Sequence, residues 1–294
     1  MEQVAPNGVA TWTLNRPKAR NALSLALLQE LRAAQERLLA PKAAAAPTPR
    51  VVVVRSTGAV FSSGHDLKEL AAMSAADQAR VMALCSQVMA GFRALPQPVL
   101  AAVDGLATAA GCQLVASCDL VLATRAARFA TPGVNIGLFC STPGVALARA
   151  VLPQHAMKML LTGEPVSAAE AAVMGLVAEL VEDAAALDAA VDRIASLLAG
   201  KSRATLALGK RGTARAARAP GGGCAGLTTA GWRRPRLADV SWQSFTSRSR
   251  SPRCSRRTRR PRRRWWTTWA TPTPRKASAP SSTSAAPPGV TREL

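Results

Sequence analysis

Apolar positions repeat with two different periods along this chain. Val9 to Leu14 alternates as a strand does, and Asn15-Arg16-Pro17 closes it. From Leu23 to Leu39 the apolar residues fall at helical spacing with charges between them, which predicts an amphipathic helix. Pro41 to Pro49 reads as an Ala/Pro linker. Val51 to Val54 is a β-branched run suited to a central strand. Ser74 is placed to cap a helix that Pro96 and Pro98 end near Leu95. Val99 to Val103 predicts a buried strand, Asp104-Gly105 a turn, and the small residues after it a helix ending near Cys118. Leu120 to Ala123 and Arg128 to Ala130 read as short strands. The pattern is helical from Val145, with Ser167 an N-cap, Gly175 a break and Asp183 to Leu198 a final amphipathic helix. Strands alternating with helices predict an α/β fold.

Two stretches share a grammar that chemistry can use. Val60 to Leu70 (VFSSGHDLKEL) reads as a strand end, a Ser-Ser-Gly turn and a helix start. Val99 to Cys118 runs strand, tight turn, helix. A helix start after a tight turn aims free backbone N–H groups outward. Two such loops could each offer one N–H to a single oxygen, the minimum for holding an oxyanion.

These residues, with Asn15-Arg16-Pro17, Asn21-Ala22-Leu23, Phe129 to Pro132, Leu161 to Ala168 and Gly175-Leu176-Val177, resemble the crotonase (enoyl-CoA hydratase/isomerase) superfamily over roughly the first 210 residues. The stretches GHDLKEL, AAGCQLVASCD and GLFCSTPGVALARA look most like one mitochondrial subgroup of it. The resemblance implies a crotonase (ClpP-like) spiral of ββα repeats with a C-terminal helical region that assembles trimers or dimers of trimers. It implies an acyl-CoA thioester as ligand, in fatty-acid metabolism in the mitochondrial matrix, with no cofactor beyond the coenzyme A of the substrate and no metal. The N–H groups of His65 and Ala110 would be the oxyanion donors. Ser63, Gly64, Asp66, Leu67, Lys68, Gly111 and Pro132 would line the substrate site, with Lys68 towards a phosphate.

The sequence departs from the family at two positions. Where active hydratases carry glutamates, this chain has Gln113 and Gly133. Gln takes no proton near neutral pH and Gly has no side chain, so weak or absent hydration is expected; losing an acid–base group costs about 10² to 10⁴ in rate. Acyl-CoA decarboxylation, or binding without catalysis, are the alternatives. Cys140 and Ser141 could face the same pocket, though Cys140 shows no neighbouring base and reads as a buried thiol. Asp66, Glu69, Asp119 and His155 read as structural residues.

Charge then divides the chain. The formal net charge is +21, yet residues 1–210 hold 19 Lys and Arg against 15 Asp and Glu. Residues 211–294 hold the other 19 basic residues and only 2 acids, with five of the six tryptophans and no Ile or Met. Such a composition cannot build a core. Taken literally, an arginine-rich segment with aromatics suggests nucleic acid. The preferred reading is a frameshifted or mis-spliced segment. Trp has one codon, so Trp265 to Pro274 can be reread one nucleotide earlier as [Leu/Met/Val]-Val-Asp-[Asn/Asp/His/Tyr]-[Leu/Met/Val]-Gly, which resembles a helix of the subgroup. Nucleic acid is therefore not expected as a partner. The six cysteines form no CxxC pair and read as reduced thiols. No membrane-spanning run and no transit peptide are visible in this sequence.

Overall fold

A computed structural model describes residues 2–40 and 48–216, with side chains to residue 213. Residues 41–47 of the Ala/Pro linker and nearly all of the basic segment lie outside the described residues. Strand β1 (Glu2–Val4) pairs antiparallel with β2 (Val9–Leu14), and β3 (Val51–Ser56) and β4 (Val99–Val103) continue the sheet in parallel register. With β6 (Leu120–Thr124) and β9 (Glu179–Val181) they form the larger sheet among the described residues, in the order β1-β2-β3-β4-β6-β9. A smaller sheet joins β5 (Leu106–Thr108), β7 (Arg128–Ala130) and β8 (Val166–Ser167). Strand β4 goes to the large sheet and β5 to the small one before a helix; β6 and β7 repeat the pattern. This is the ββα spiral.

Both faces of the large sheet are covered, which is why β3 and β4 are apolar without alternation. Val52, Val54, Val99, Ala101 and Val103 face helices α1 (Leu25–Leu39), α3 (Ala75–Ala94) and α4 (Ala110–Ser117). The alternate residues Val51, Val53, Leu100 and Ala102 face α8 (Ala184–Ala199) through Leu187, Ala190 and Val191. The expected cap Ser74 accepts from the first turn of α3, and Ser24 and Asp183, not expected as caps, do the same for α1 and α8. Ser167 and Glu170 close a capping box on α7 (Ala168–Val173). α9 (Arg203–Ala216) ends the described chain.

Three expectations change. The strand before the Ser-Ser-Gly turn ends at Ser56, because the Asn21 side-chain amide takes the carbonyls of Thr57 (2.8 Å) and Val60 (2.7 Å) from any ladder. The helix expected from Val145 begins at Ser141 as α5 (Ser141–Ala150), since Pro143 sits in the first turn, where its missing N–H costs nothing. A separate α6 (Pro153–Thr162) comes after it. A further strand, β5, intervenes between the Asp104-Gly105 turn and α4.

Candidate functional site

Three segments meet at the N-terminus of α4. Ser62 pairs in parallel with Ala107, its N–H donating to Leu106 O at 3.2 Å and its carbonyl accepting from Thr108 at 2.9 Å. Leu23 pairs with His65 and donates to Gly64 O at 2.7 Å. Asn21 lies beneath both loops, fully buried, with φ of 50°. Its Oδ1 accepts from Arg16 N, and its own carbonyl accepts from the Ser62 hydroxyl at 2.9 Å. The two stretches singled out in the sequence therefore touch.

Glycines make that contact possible. Gly64 has φ of +85°, and a Cβ there would lie 2.8 Å from Ala109 Cβ and 3.1 Å from Ala110 N. A Cβ on Gly111 would lie 2.4 Å from Ser62 O. Ala109, before the helix, has φ of 51° and ψ of −120° without being glycine, a conformation that costs roughly 1–3 kcal/mol. The strain aims the N–H groups that come after it.

Among the described residues, the backbone N–H groups of His65 and Ala110 find no acceptor. Three buried side-chain atoms nearby in sequence are also unpaired: His65 Nδ1, Thr108 Oγ1 and Gln113 Oε1. Buried polar atoms without partners are uncommon and need a reason. Burial lowers the His65 pKa below its ordinary value, with a weaker opposing pull from the Leu23 backbone, so its ring is neutral near pH 7.

The other candidates fall in separate places. α2 (Leu67–Ala71) starts at Asp66, whose carboxylate accepts from Glu69 N and pairs with Arg16 at 3.5 Å. Glu69 accepts from Leu25 N at 3.0 Å. Both carboxylates are thus occupied in holding α1 and α2. The exposed Lys68 joins Arg16 on an open groove of about 870 Å³, while Leu67 points outward. Ser63 donates its N–H to Arg20 O. Pro132 and Gly133 lie in a 3-10 turn over Pro132–Ile136. A Cβ on Gly133 would meet Cys140 Sγ at 2.8 Å and Leu138 O at 2.7 Å. The Cys140 thiol fills the volume where a longer side chain would start. Ser141 is exposed at the start of α5. His155 lies apart on α6, beside Lys158 and Glu170. Asp119 does not cap α4, which ends on Cys118; it accepts from Val99 N at 2.8 Å and pairs with Lys210 at 2.6 Å. Cys85, Cys112, Cys118 and Cys140 are free thiols, and burial pushes Cys85 and Cys112 up to about 12.

Sequence reasoning missed Asn21 and Ser62 as the brace of the two loops. Asn21 stands in a family motif, but only its side-chain bonds show its task.

A ββα spiral with two loops converging on a buried helix start defines the crotonase class, and comparison with known proteins agrees. The family model described as enoyl-CoA hydratase/isomerase matches residues 4–221, and the chain belongs to that family. It is similar to enoyl-CoA hydratase domain-containing protein 3, mitochondrial, of Homo sapiens, 51% identical over 205 residues, 69% of this chain and 66% of that one. The Xenopus laevis counterpart is 50% identical over 205 residues, 69% of this chain and 68% of its own. The crystal structure of the human protein superposes with a TM-score of 0.68 at 47% identity, over 76% of this chain and 85% of that one. A Mycobacterium smegmatis enoyl-CoA hydratase superposes with a TM-score of 0.70 at 47% identity, over 75% and 84%. The chain spans about two thirds of the length of these curated relatives.

Proposed function

We propose that this chain binds acyl-CoA thioesters, with the thioester oxygen between the N–H groups of His65 and Ala110. The observation that carries this reading is the pair of acceptor-free N–H groups on two loops held together at Gly64. As an α-carbanion or enolate forms, negative charge moves onto that oxygen, and each fixed donor is worth roughly 3 kcal/mol there. Ser63, Gly64, Asp66, Leu67, Gly111 and Pro132 shape the surrounding site. Lys68 and Arg16, on one groove, supply positive charge for the phosphates of coenzyme A. No further cofactor is required, because coenzyme A arrives with the substrate. The reading extends to a role in fatty-acid metabolism in the mitochondrial matrix, as a trimer or dimer of trimers, which the family resemblance of the sequence motifs implies; the relatives' names support the mitochondrial part alone.

Hydration is the weak part of this chemistry. Gln113 is neither an acid nor a base near neutral pH, and the space beside Gly133 belongs to the Cys140 sulfur. That observation favours decarboxylation, or binding alone, as a second reading. Both need the oxyanion donors and neither needs two glutamates. With crotonyl-CoA, turnover is expected at least about a hundredfold below an ordinary hydratase, and turnover within about tenfold of one overturns this expectation. Ala110→Pro removes one donor at the first helical position, where proline is tolerated. It is expected to weaken an enolate-mimicking CoA analogue by about 10² to 10³, far more than CoA itself. Equal loss for both ligands would mean general misfolding, and no loss for either would place the site elsewhere.

A further inference from the structure

A second cleft runs along α4 from Gln113. Gln113 and Ser117 stand one above the other on the helix, the Ser117 hydroxyl donating to Gln113 O at 2.7 Å. Both line a groove of about 220 Å³ closed by α3 and α5, with Thr142 and Arg149 on its α5 wall and Arg93 on its α3 wall. Gln113 is 5 % exposed at its floor, and its Oε1 has no partner. Beyond the C-terminal end of α4 lies a larger cavity of about 590 Å³, which shares Arg93 and Arg149 with the groove and adds Asp119 and Lys210. The two arginines stand where the cavities join.

The charge at that junction is one-sided. Asp119 is the one acid lining either cavity among the described residues, and Lys210 already pairs with it at 2.6 Å. Arg149 is exposed and makes no ion pair or hydrogen bond among the described residues. Gln113, one helical turn after Ala110, thus puts an unsatisfied buried amide in a groove that also holds the uncompensated charge of Arg149. Ala110 to Ser117 spans about 10 Å at the helical rise.

We infer that this groove selects acyl-CoA thioesters whose acyl chain ends in a carboxylate, with Arg149 as the specificity-determining residue. The inference rests on the thioester binding at Ala110 proposed above. With the carbonyl at the start of α4, an extended chain of roughly six to eight carbons brings its far end to the arginines. A guanidinium holds a carboxylate through two parallel N–H donors, which a neutral methyl terminus cannot use. Gln113 borders the groove, whose Met89, Val145 and Ala146 walls pack against the methylenes of the chain, so selection falls on the terminal group at Arg149.

The test is calorimetric titration of the full chain with adipyl-CoA, hexanoyl-CoA and CoA, repeated on Arg149→Gln. The two thioesters have equal chain length and the same phosphates and differ at the terminal group. Adipyl-CoA is expected to bind at least about fivefold more tightly than hexanoyl-CoA, and Arg149→Gln to abolish that difference while hexanoyl-CoA and CoA keep their affinities. Equal affinities in the wild-type protein overturn the inference, as does a preference that survives Arg149→Gln. Equal weakening of all three ligands by the variant would assign Arg149 to a CoA phosphate and also overturn it. If CoA and both thioesters fail to bind, the proposed function fails first and this inference with it. Arg149 is an exposed residue of α5, and an unchanged melting temperature separates lost contact from lost fold.

Discussion

At the scale of single residues, the tightest constraint is the approach of Gly64 to Ala109. A Cβ on Gly64 would lie 2.8 Å from Ala109 Cβ, and its φ of +85° already disfavours any side chain. Gly64→Ala is therefore expected to cost about 2–4 kcal/mol, read from denaturant melts. Ala109→Gly removes both a strained φ of 51° and the clashing methyl, and is expected to stabilise by about 1 kcal/mol. Combining them should recover part of the Gly64→Ala loss, leaving the backbone penalty and the contact with Thr108 O at 3.1 Å. Strict additivity in this double-mutant cycle would show that the two loops do not press on each other. His65 yields a pH prediction. Burial depresses its folded pKa below the unfolded value near 6.5, so the unfolded chain binds the proton more readily. Stability is complete above about pH 6.5 and falls as pH drops from there through the lower folded pKa. His65→Gln should flatten the melting temperature between about pH 7.5 and 5 by removing that component. A wild-type profile no steeper than the variant's would contradict it. The Ser-Ser-Gly and Asp-Gly turns that place these groups were legible as letters. The orphaned Thr108, His65 and Gln113 atoms were not, because the absence of a partner is a property of packing.

Among the elements, those with a sustained period were readable in advance: β2, α1, β3, α3, β4 and α8 fall within a few residues of expectation. The short strands β1, β5, β8 and β9 were invisible, since two or three residues hold no period. They exist because neighbours supply their hydrogen bonds, as Arg128 and Phe129 do for β8. α9 is held by another mechanism that spacing cannot reveal. Lys210 is only 10 % exposed, and its ammonium donates to Phe92 O at 3.0 Å, Gln97 O at 2.9 Å and Asp119 at 2.6 Å. All three of its protons are used. Burial pulls the Lys210 pKa down, and the Asp119 charge opposes that pull. Lys210→Met keeps the stem but orphans two carbonyls and a partly open carboxylate. It is expected to cost about 2–4 kcal/mol and to raise hydrogen exchange across α9 before the rest of the sheet. Uniform exchange over α8 and α9 in the variant would mean that the pair does not anchor the helix.

For the whole molecule the open matter is the chain beyond α9. The family match reaches residue 221 and the helix runs to Ala216, both past Lys210, while the basic composition takes over from residue 211. A sequence chosen to fold carries apolar residues at a period its partners can use, and residues 217–294 carry none that is sustained. Arg256, Arg257, Arg259, Arg260, Arg262, Arg263 and Arg264 place seven cations within nine residues, where like charges repel and no acid offsets them. The same nucleotides, shifted by one, yield a Val-Asp pair inside an apolar helix pattern, as the single Trp codon allows at Trp265, Trp266 and Trp269. Peptides from the purified native protein are therefore expected to match residues 1–210 and to adopt the shifted frame beyond them. Digestion with a protease that does not cut at arginine keeps the tail visible to mass spectrometry. Recovery of a native peptide containing Trp265-Trp266 in the unshifted frame would overturn the frameshift. It would also establish the arginine segment as part of the protein, and weak, salt-sensitive binding to nucleic acid would then be its first activity to measure.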